Sequence, residues 1–420
     1  MAGVVALGLV LASLIPSSAE LAARAGAELE TRLGVKTSVG AVTWRIFPAP
    51  SLVLTDIRIE QPEPITLARV TAHPKLGALM QRRLQLNTLE VDGAIVPQLS
   101  VRGLGGAQRT PVDPAALPVG RVTVKNLTWI NRRGLALLYE LEADFDPGWR
   151  PRVALLRRPD AETLTQLTLK RMGEQDRWET VVQVGGGTAP GQLNLQTSPE
   201  GRLQLTGELA PQGVDVVAAM TAFKRRAFVA GQANGQTTLS AQGQTLGELA
   251  SSLQTRTQFR MAPATLLRFD LDRAIKSLGT ENEGQTRLDT LTGQLATRNT
   301  PQGMLVRYTD VKARSGAFSA IGEAALVNRR IEGEFSVDLV EGLVGVPLTV
   351  SGTLDKPQFS VPKSAVAGAV AGTAVLPGIG TAIGARIGAA IGKLFGGDDA
   401  PDDPAKPAKP ITPREEPIRN

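Results

Sequence analysis

Apolar and polar residues alternate without a break from residue 331 to 339. Ile331, Gly333, Phe335, Val337 and Leu339 fall on one side, and Glu332, Glu334, Ser336 and Asp338 on the other. Strand side chains alternate with period two, so this run predicts one half-buried strand. Val346, Leu348, Val350, Gly352 and Leu354 oppose Pro347, Thr349, Ser351 and Thr353 in a second, which a turn at Asp355-Lys356-Pro357 follows. Such a pair predicts antiparallel sheet with one wet face and one apolar face.

The same pattern recurs upstream. Leu137, Tyr139, Leu141, Ala143 and Phe145 alternate with Glu140, Glu142, Asp144 and Asp146, and Leu203, Leu205, Gly207 and Leu209 face away from Gln204, Thr206 and Glu208. Strands are predicted over 35–42, 51–60, 66–72, 84–91, 121–127, 135–146, 162–171, 178–184, 191–197, 202–209, 231–242, 255–261 and 286–298, with a meander over 302–327. Helices are predicted over 17–34, 75–83, 215–228, 245–252 and 263–278. The first has Ser17 and Glu20 as a capping box and Gly34 as its stop. The class is mainly β with a few short helices: an antiparallel sheet with one apolar face, for which a long curved gutter is one of three possible arrangements.

Roughly 15 strands are too many for a flat open sheet, which must curl, split or close. A sandwich would fill the apolar face with protein, and a barrel would enclose it. A gutter would leave it to lipid acyl chains. Candidate lining residues are Ile331, Phe335, Val337, Leu339, Val346, Leu348 and Val350, with Leu137, Leu141, Leu203 and Leu205 further back. Each is more safely read as closed core than as a lipid contact.

Both ends of the chain differ from this body. Residues 1–15 are uncharged and apolar. They read as a membrane anchor over 1–16, with Val4, Leu7, Leu9 and Leu11 as contacts. A secretory leader cleaved near Ser17-Ser18-Ala19 is the competing reading. Residues 364–396 space Gly380, Gly384, Gly388 and Gly392 four apart, as close packing in a bilayer or on an apolar surface requires. A loose helix lying on the sheet is the alternative. Residues 397–420, rich in Pro, Asp and Lys, read as a disordered tail. Between anchor and body, 35–102 reads as an α+β unit, 103–120 as a turn-rich linker and 121–361 as the β-rich body.

Composition removes most chemistry. Cysteine is absent, and His73 is the single histidine, so thiolate chemistry and a His-based triad or metal site have no residues to use. Asp270 and Asp272 fall on different faces of the predicted helix. The glycines near 378–384 miss the dinucleotide fingerprint, and 388–393 is one residue short of a phosphate loop. No catalytic site, metal or cofactor is expected, and an enzyme has no candidate residues. The net charge of +6 is carried largely as pairs: Arg82-Arg83, Arg132-Arg133, Arg157-Arg158, Arg225-Arg226 and Arg329-Arg330. These read as solvated turns and strand ends, or as a patch for anionic headgroups; no nucleic-acid motif accompanies them.

Two blocks carry a resemblance. The run RLGVKTSVGAVTWRIFPAPSLVLTDIRI, followed by LARVTAHPKLGALMQRRLQLNTLEVDGAIV, places Gly34, Trp44, Pro48, Asp56, Leu79, Arg83, Asp92 and Gly93 in order. It resembles the N-terminal region of AsmA-like bacterial envelope proteins. The stretch at 231–271 and the closing VPLTVSGTLDKPQFSV resemble that family's C-terminal region, with Met261-Ala262-Pro263 departing from its pattern. The resemblance implies an inner-membrane anchor, a periplasmic body with a hydrophobic groove, and phospholipid as cargo. It also implies an envelope-protein partner and a role in outer-membrane lipid homeostasis. The alternative is a structural factor that assists outer-membrane protein assembly through its sheet edge.

Overall fold

The structure is a computed structural model, and it describes residues 18–360 apart from 46, 48, 76, 79–84, 102–117, 245, 278–279, 301, 340–345 and 355. The anchor expected at 1–16, the linker at 103–117, the glycine-spaced segment and the tail lie outside the described residues, as does most of the helix expected at 75–83. Among the described residues no helix is long and apolar enough to cross a membrane.

These residues form one mixed sheet of 22 strands with five short helices among them. Helix α1 (Ser18–Leu33) is the first described element, buries Ala22 and ends at Gly34, whose φ of +66° suits glycine. It packs on β1 (Thr37–Ser38) and β2 (Ala41–Arg45), which lie end to end along β3 (Ser51–Ile59). Then come β4 (Ile65–Pro74), β5 (Leu86–Pro97), α2 (Gln98–Val101), β6 (Val119–Ile130), β7 (Ala136–Phe145), β8 (Pro151–Arg157), β9 (Gln166–Arg171), β10 (Arg177–Val184), β11 (Gly187–Thr197) and β12 (Leu203–Leu209). The second half holds β13 (Val214–Asp215), α3 (Val216–Ala222), β14 (Val229–Gly243), α4 (Leu246–Ser251), β15 (Gln254–Leu267), α5 (Leu271–Lys276), β16 (Gln285–Leu288), β17 (Thr290–Thr300), β18 (Gly303–Arg314), β19 (Phe318–Val327), β20 (Arg330–Leu339), β21 (Val346–Thr353) and β22 (Lys356–Ser360).

Strands pair in sequence order except where two lie end to end along one partner: β1 and β2 along β3, β12 and β13 along β14, and β16 and β17 along β15, so the 22 strands fill 19 successive places in one row. Every ladder is antiparallel except β5–β6. That exception corrects the antiparallel expectation. A parallel pair needs a crossover of a dozen or more residues, and the chain between Pro97 and Val119 is long enough to supply it. The sheet therefore runs unbroken through segments that read as separate units.

Two expected helices shorten. The one expected at 263–278 is α5 alone, because 264–267 continue β15 and pair with β16. Pro263 sits where the register of β15 against β14 slips, between Met261 and Ala264, so its missing N–H interrupts no regular ladder. The one expected at 215–228 ends at Ala222, before Lys224 at φ 52°. Asp215 caps it, accepting from Ala218 N at 2.7 Å. Sequence reading also missed β8 and took β22 for a turn.

The row is not flat. Phe269, just after β15, stacks on Phe359 of β22 with centroids 3.8 Å apart. Six strand spacings separate those strands, about 29 Å if laid flat. Arg132 Nη1 in the β6–β7 turn donates to Thr300 O at the end of β17, at 3.4 Å. Glycines permit the bend: a Cβ on Gly191 would lie 1.9 Å from Glu208 O, and one on Gly322 2.3 Å from Glu334 O.

At the far ends of β7 and β9 an ion network ties two hairpins. Asp146 Oδ1 accepts from Gly148 N and Arg150 N, and its Oδ2 accepts from Arg150 Nε at 3.0 Å and Arg171 Nη1 at 2.6 Å. Burial alone would raise the Asp146 carboxyl; the hydrogen bonds from Arg150 N, Arg171 and Gly148 N, with the Arg150 charge, outweigh it and hold it below the ordinary range. A depressed carboxyl contributes stability that is present above its unfolded pKa and lost as pH falls through the folded one. Asp146→Asn should therefore destabilise at neutral pH, by about 3 kcal/mol. The gap to wild type should narrow once pH falls below about 4, where the unfolded carboxyl protonates, and close only below the folded pKa. Denaturant titrations at pH 7 and pH 3 check this; an equal gap at both would sink it.

Candidate functional site

The pairing registers join one apolar row across nearly the whole sheet. It runs Leu52, Ala72, Leu89, Val122, Ala143, Ala154, Leu169, Thr180, Gly191 and Leu209 from β3 to β12. It continues through Thr237, Thr257, Leu295, Tyr308, Ala324, Gly333, Val350 and Phe359 to β22. A parallel row, Leu54, Val70, Val91, Val124, Leu141, Leu156, Leu167, Val182 and Ala189, flanks it from β3 to β11. Cross-strand partners share a face, so alternation within each strand becomes one apolar surface many strands wide. Midway it turns polar at Thr237–Thr257 and Thr255–Thr297, whose hydroxyls meet at 2.9 and 2.7 Å.

What covers this face changes along the sheet. At the C-terminal end it is sealed. Phe269, Leu271 and Ala274, at and within α5, form a buried core with Met261, Leu288, Leu291, Phe318, Ala320, Val337, Val346 and Leu348. Val337 is 0% exposed, Val346 1% and Leu348 3%, and Val350 is buried beside them. These four expected lining residues therefore sit in closed core. Phe335 and Leu339 are half-buried against the same cluster, and Ile331 is half-buried at the opposite end of β20. At the N-terminal end Val42 of β2, on which α1 packs, is buried, as are Ile57, Ile59 and Ile65 of β3 and β4. Between the covers, Leu89, Val91, Val122, Val124, Leu141, Leu156, Leu167, Leu169 and Val182 are half-buried, while the smaller Ala143, Ala154, Thr180 and Ala189 of the same rows are buried. Leu203 and Leu205 are also half-buried, and Leu137 is buried. The structure thus separates the expected residues: the C-terminal strands line a core, whereas Leu141, Leu203 and Leu205 line the part left accessible.

One helix reaches across this middle. Helix α3 packs on β10 and β14, and Arg158, at the end of β8, holds its far end. Arg158 Nη1 donates to Ala222 O, Nε to Leu138 O at 3.1 Å and Nη2 to Asp160 Oδ1 at 2.8 Å. Its guanidinium lies 5.3 Å from the Tyr139 ring centre and 5.6 Å from that of Phe223. Burial alone would raise Asp160; the hydrogen bond and charge of Arg158, with the charge of Lys224, outweigh it and hold the carboxyl below its ordinary range. Burial raises the Tyr139 phenol. Sequence reading missed this latch, since Arg157-Arg158 looked like one more solvated pair.

The remaining candidates are structural. His73 Nε2 lies 3.7 Å from Glu90 Oε1 across β4–β5. Asp270 accepts from Arg273 N, while Asp272 pairs with Lys276 at 2.9 Å. Among the described residues no group of three or more His, Cys, Asp or Glu is placed to hold a metal ion. A cleft of about 730 Å³ over β10–β14 is bordered by polar residues, including Gln192, Thr206, Glu208 and Thr238, and equally by apolar residues and glycines, including Leu193, Leu209 and Leu239. Comparison with protein-family models, with curated proteins and with solved structures finds no match for this chain.

Proposed function

We propose that the protein is an AsmA-like envelope protein, anchored in a bacterial inner membrane by residues 1–16, whose periplasmic body shelters phospholipid acyl chains for passive transfer. One observation carries this reading: an apolar face runs from β3 to β22, broken by the threonine pairs of β14–β17 and sealed at its C-terminal end, and from β5 to β12 its larger side chains are left half-buried around the buried Ala143, Ala154 and Thr180. Acyl chains laid there would complete the burial, at about 0.8 kcal/mol per methylene. The curled sheet then acts as a gutter. Its 19 places correspond to a path of about 86 Å at ~4.8 Å per strand. Crossing an envelope over a longer distance calls for a partner or a second copy. With no nucleotide fingerprint in the sequence, direction comes from a gradient or a partner.

Mass spectrometry of lipid carried by the full chain, purified in mild detergent, tests the reading. Phospholipid should co-purify at a fixed ratio with wild type, and Leu167→Asp should carry at least about tenfold less while melting as a folded protein. Lipid-free wild type that still captures unfolded outer-membrane proteins would favour the assembly-factor reading. That alternative draws on β22, which among the described residues pairs only with β21 and so offers an edge.

A further inference from the structure

Three arginine pairs, distant in sequence and each in an exposed or half-exposed turn, are brought to one place. Arg132 and Arg133 form the β6–β7 turn, Arg225 and Arg226 follow α3, and Arg329 and Arg330 span the β19–β20 turn. Hydrogen bonds fix their convergence. Lys224 Nζ donates to Ala136 O at 2.9 Å, setting the segment after α3 against the start of β7. Arg132 reaches Thr300 O, and Gly303 in the same hairpin abuts Asn328, next to Arg329. Arg133 shows the result. Burial lowers its guanidinium pKa, and the charges of Arg225 and Arg329 lower it further. Asp160, a carboxylate beside Lys224, is engaged by Arg158 and by Lys224 at 3.6 Å.

Holding like charges together costs stability, and a fold that assembles them from three separate turns stores a positive field for an anion. The position narrows which anion. Leu137 and Tyr139, the first inward residues of β7, belong to the apolar side, so the cationic turns stand where that side meets solvent. We propose that the Arg132-Arg133, Arg225-Arg226 and Arg329-Arg330 turns form one headgroup site, which takes the phosphate of an anionic phospholipid. This rests on the lipid reading above and adds to it a preference among lipids. Guanidinium groups suit the task because they present paired donors to phosphate oxygens and stay charged.

The experiment uses the full chain in mild detergent with acyl-labelled phosphatidylglycerol and phosphatidylcholine, and inorganic phosphate as a third ligand. Wild type should bind phosphatidylglycerol about tenfold more tightly than phosphatidylcholine, as a few arginines near one phosphate imply. The triple variant R133E/R225E/R329E should lose that preference and keep its phosphatidylcholine binding. The milder R133Q/R225Q serves if the triple variant does not fold, and should reduce the preference at least threefold (about half of the full effect on a free-energy scale). Equal binding of both lipids by wild type would overturn the headgroup site and leave the lipid reading intact. Binding of neither would overturn both. Phosphate binding that the variants abolish, without any preference between lipids, would assign the cluster to a free anion and overturn the headgroup assignment.

Discussion

Val337→Asp should leave no folded body to assay. Val337 is 0% exposed, lies between Ala320 and Val346 in the ladder, and faces Phe318 and Leu348 within the core that α5 closes. A carboxylate there has no donor to meet and no room for water, so it must protonate or drag the core open. The cost is about 5 kcal/mol or more, comparable to the whole stability of an ordinary domain. Leu167→Asp is the contrasting case. Leu167 belongs to the same apolar surface but is half-buried, so its carboxylate keeps access to water. It should cost about 1–2 kcal/mol. Circular dichroism and thermal melting of the two variants read the difference directly. Two folded proteins with similar melting points would mean that the C-terminal core is as open as the middle of the sheet.

Arg158→Ala should release the far end of α3, at a cost of about 3–5 kcal/mol. The side chain is 2% exposed and is shared among Ala222 O, Leu138 O, Asp160 and two aromatic rings. Its removal leaves the buried Ala222 O and the half-buried Leu138 O short of a donor and leaves Lys224, at 3.6 Å, as the cation paired with Asp160. Arg158→Lys should recover only a minor part, because one ammonium cannot serve partners lying on different sides of a planar fork. Hydrogen exchange separates this local release from general unfolding. Protection should be lost at 218–225 and kept along β14 and β15. Uniform loss of protection would make Arg158 a global core residue rather than a latch.

Period-two alternation was the informative signal here, and it worked strand by strand. It found β7, β12, β20 and β21, because each has one wet face whose polar residues mark the register. It failed at β8, whose Val153, Ala154, Leu155 and Leu156 run apolar on both sides. It failed again beyond Pro263, where local preference suggested a helix and pairing with β16 prevailed. Leu141 and Val337 look alike as a sequence, each an apolar residue between acidic or polar neighbours. Only their neighbours in space distinguish an accessible surface from a sealed core.

Alternation along the chain decided that the protein is a long sheet with one apolar face, since a strand's two-residue repeat is a local property that any stretch of sequence displays. Two things were left to tertiary structure: where α1, α3 and α5 lie over that face, and which of the scattered arginine turns meet. Both depend on how a many-stranded sheet bends. Small twists at each ladder accumulate, and no short stretch of residues records their sum.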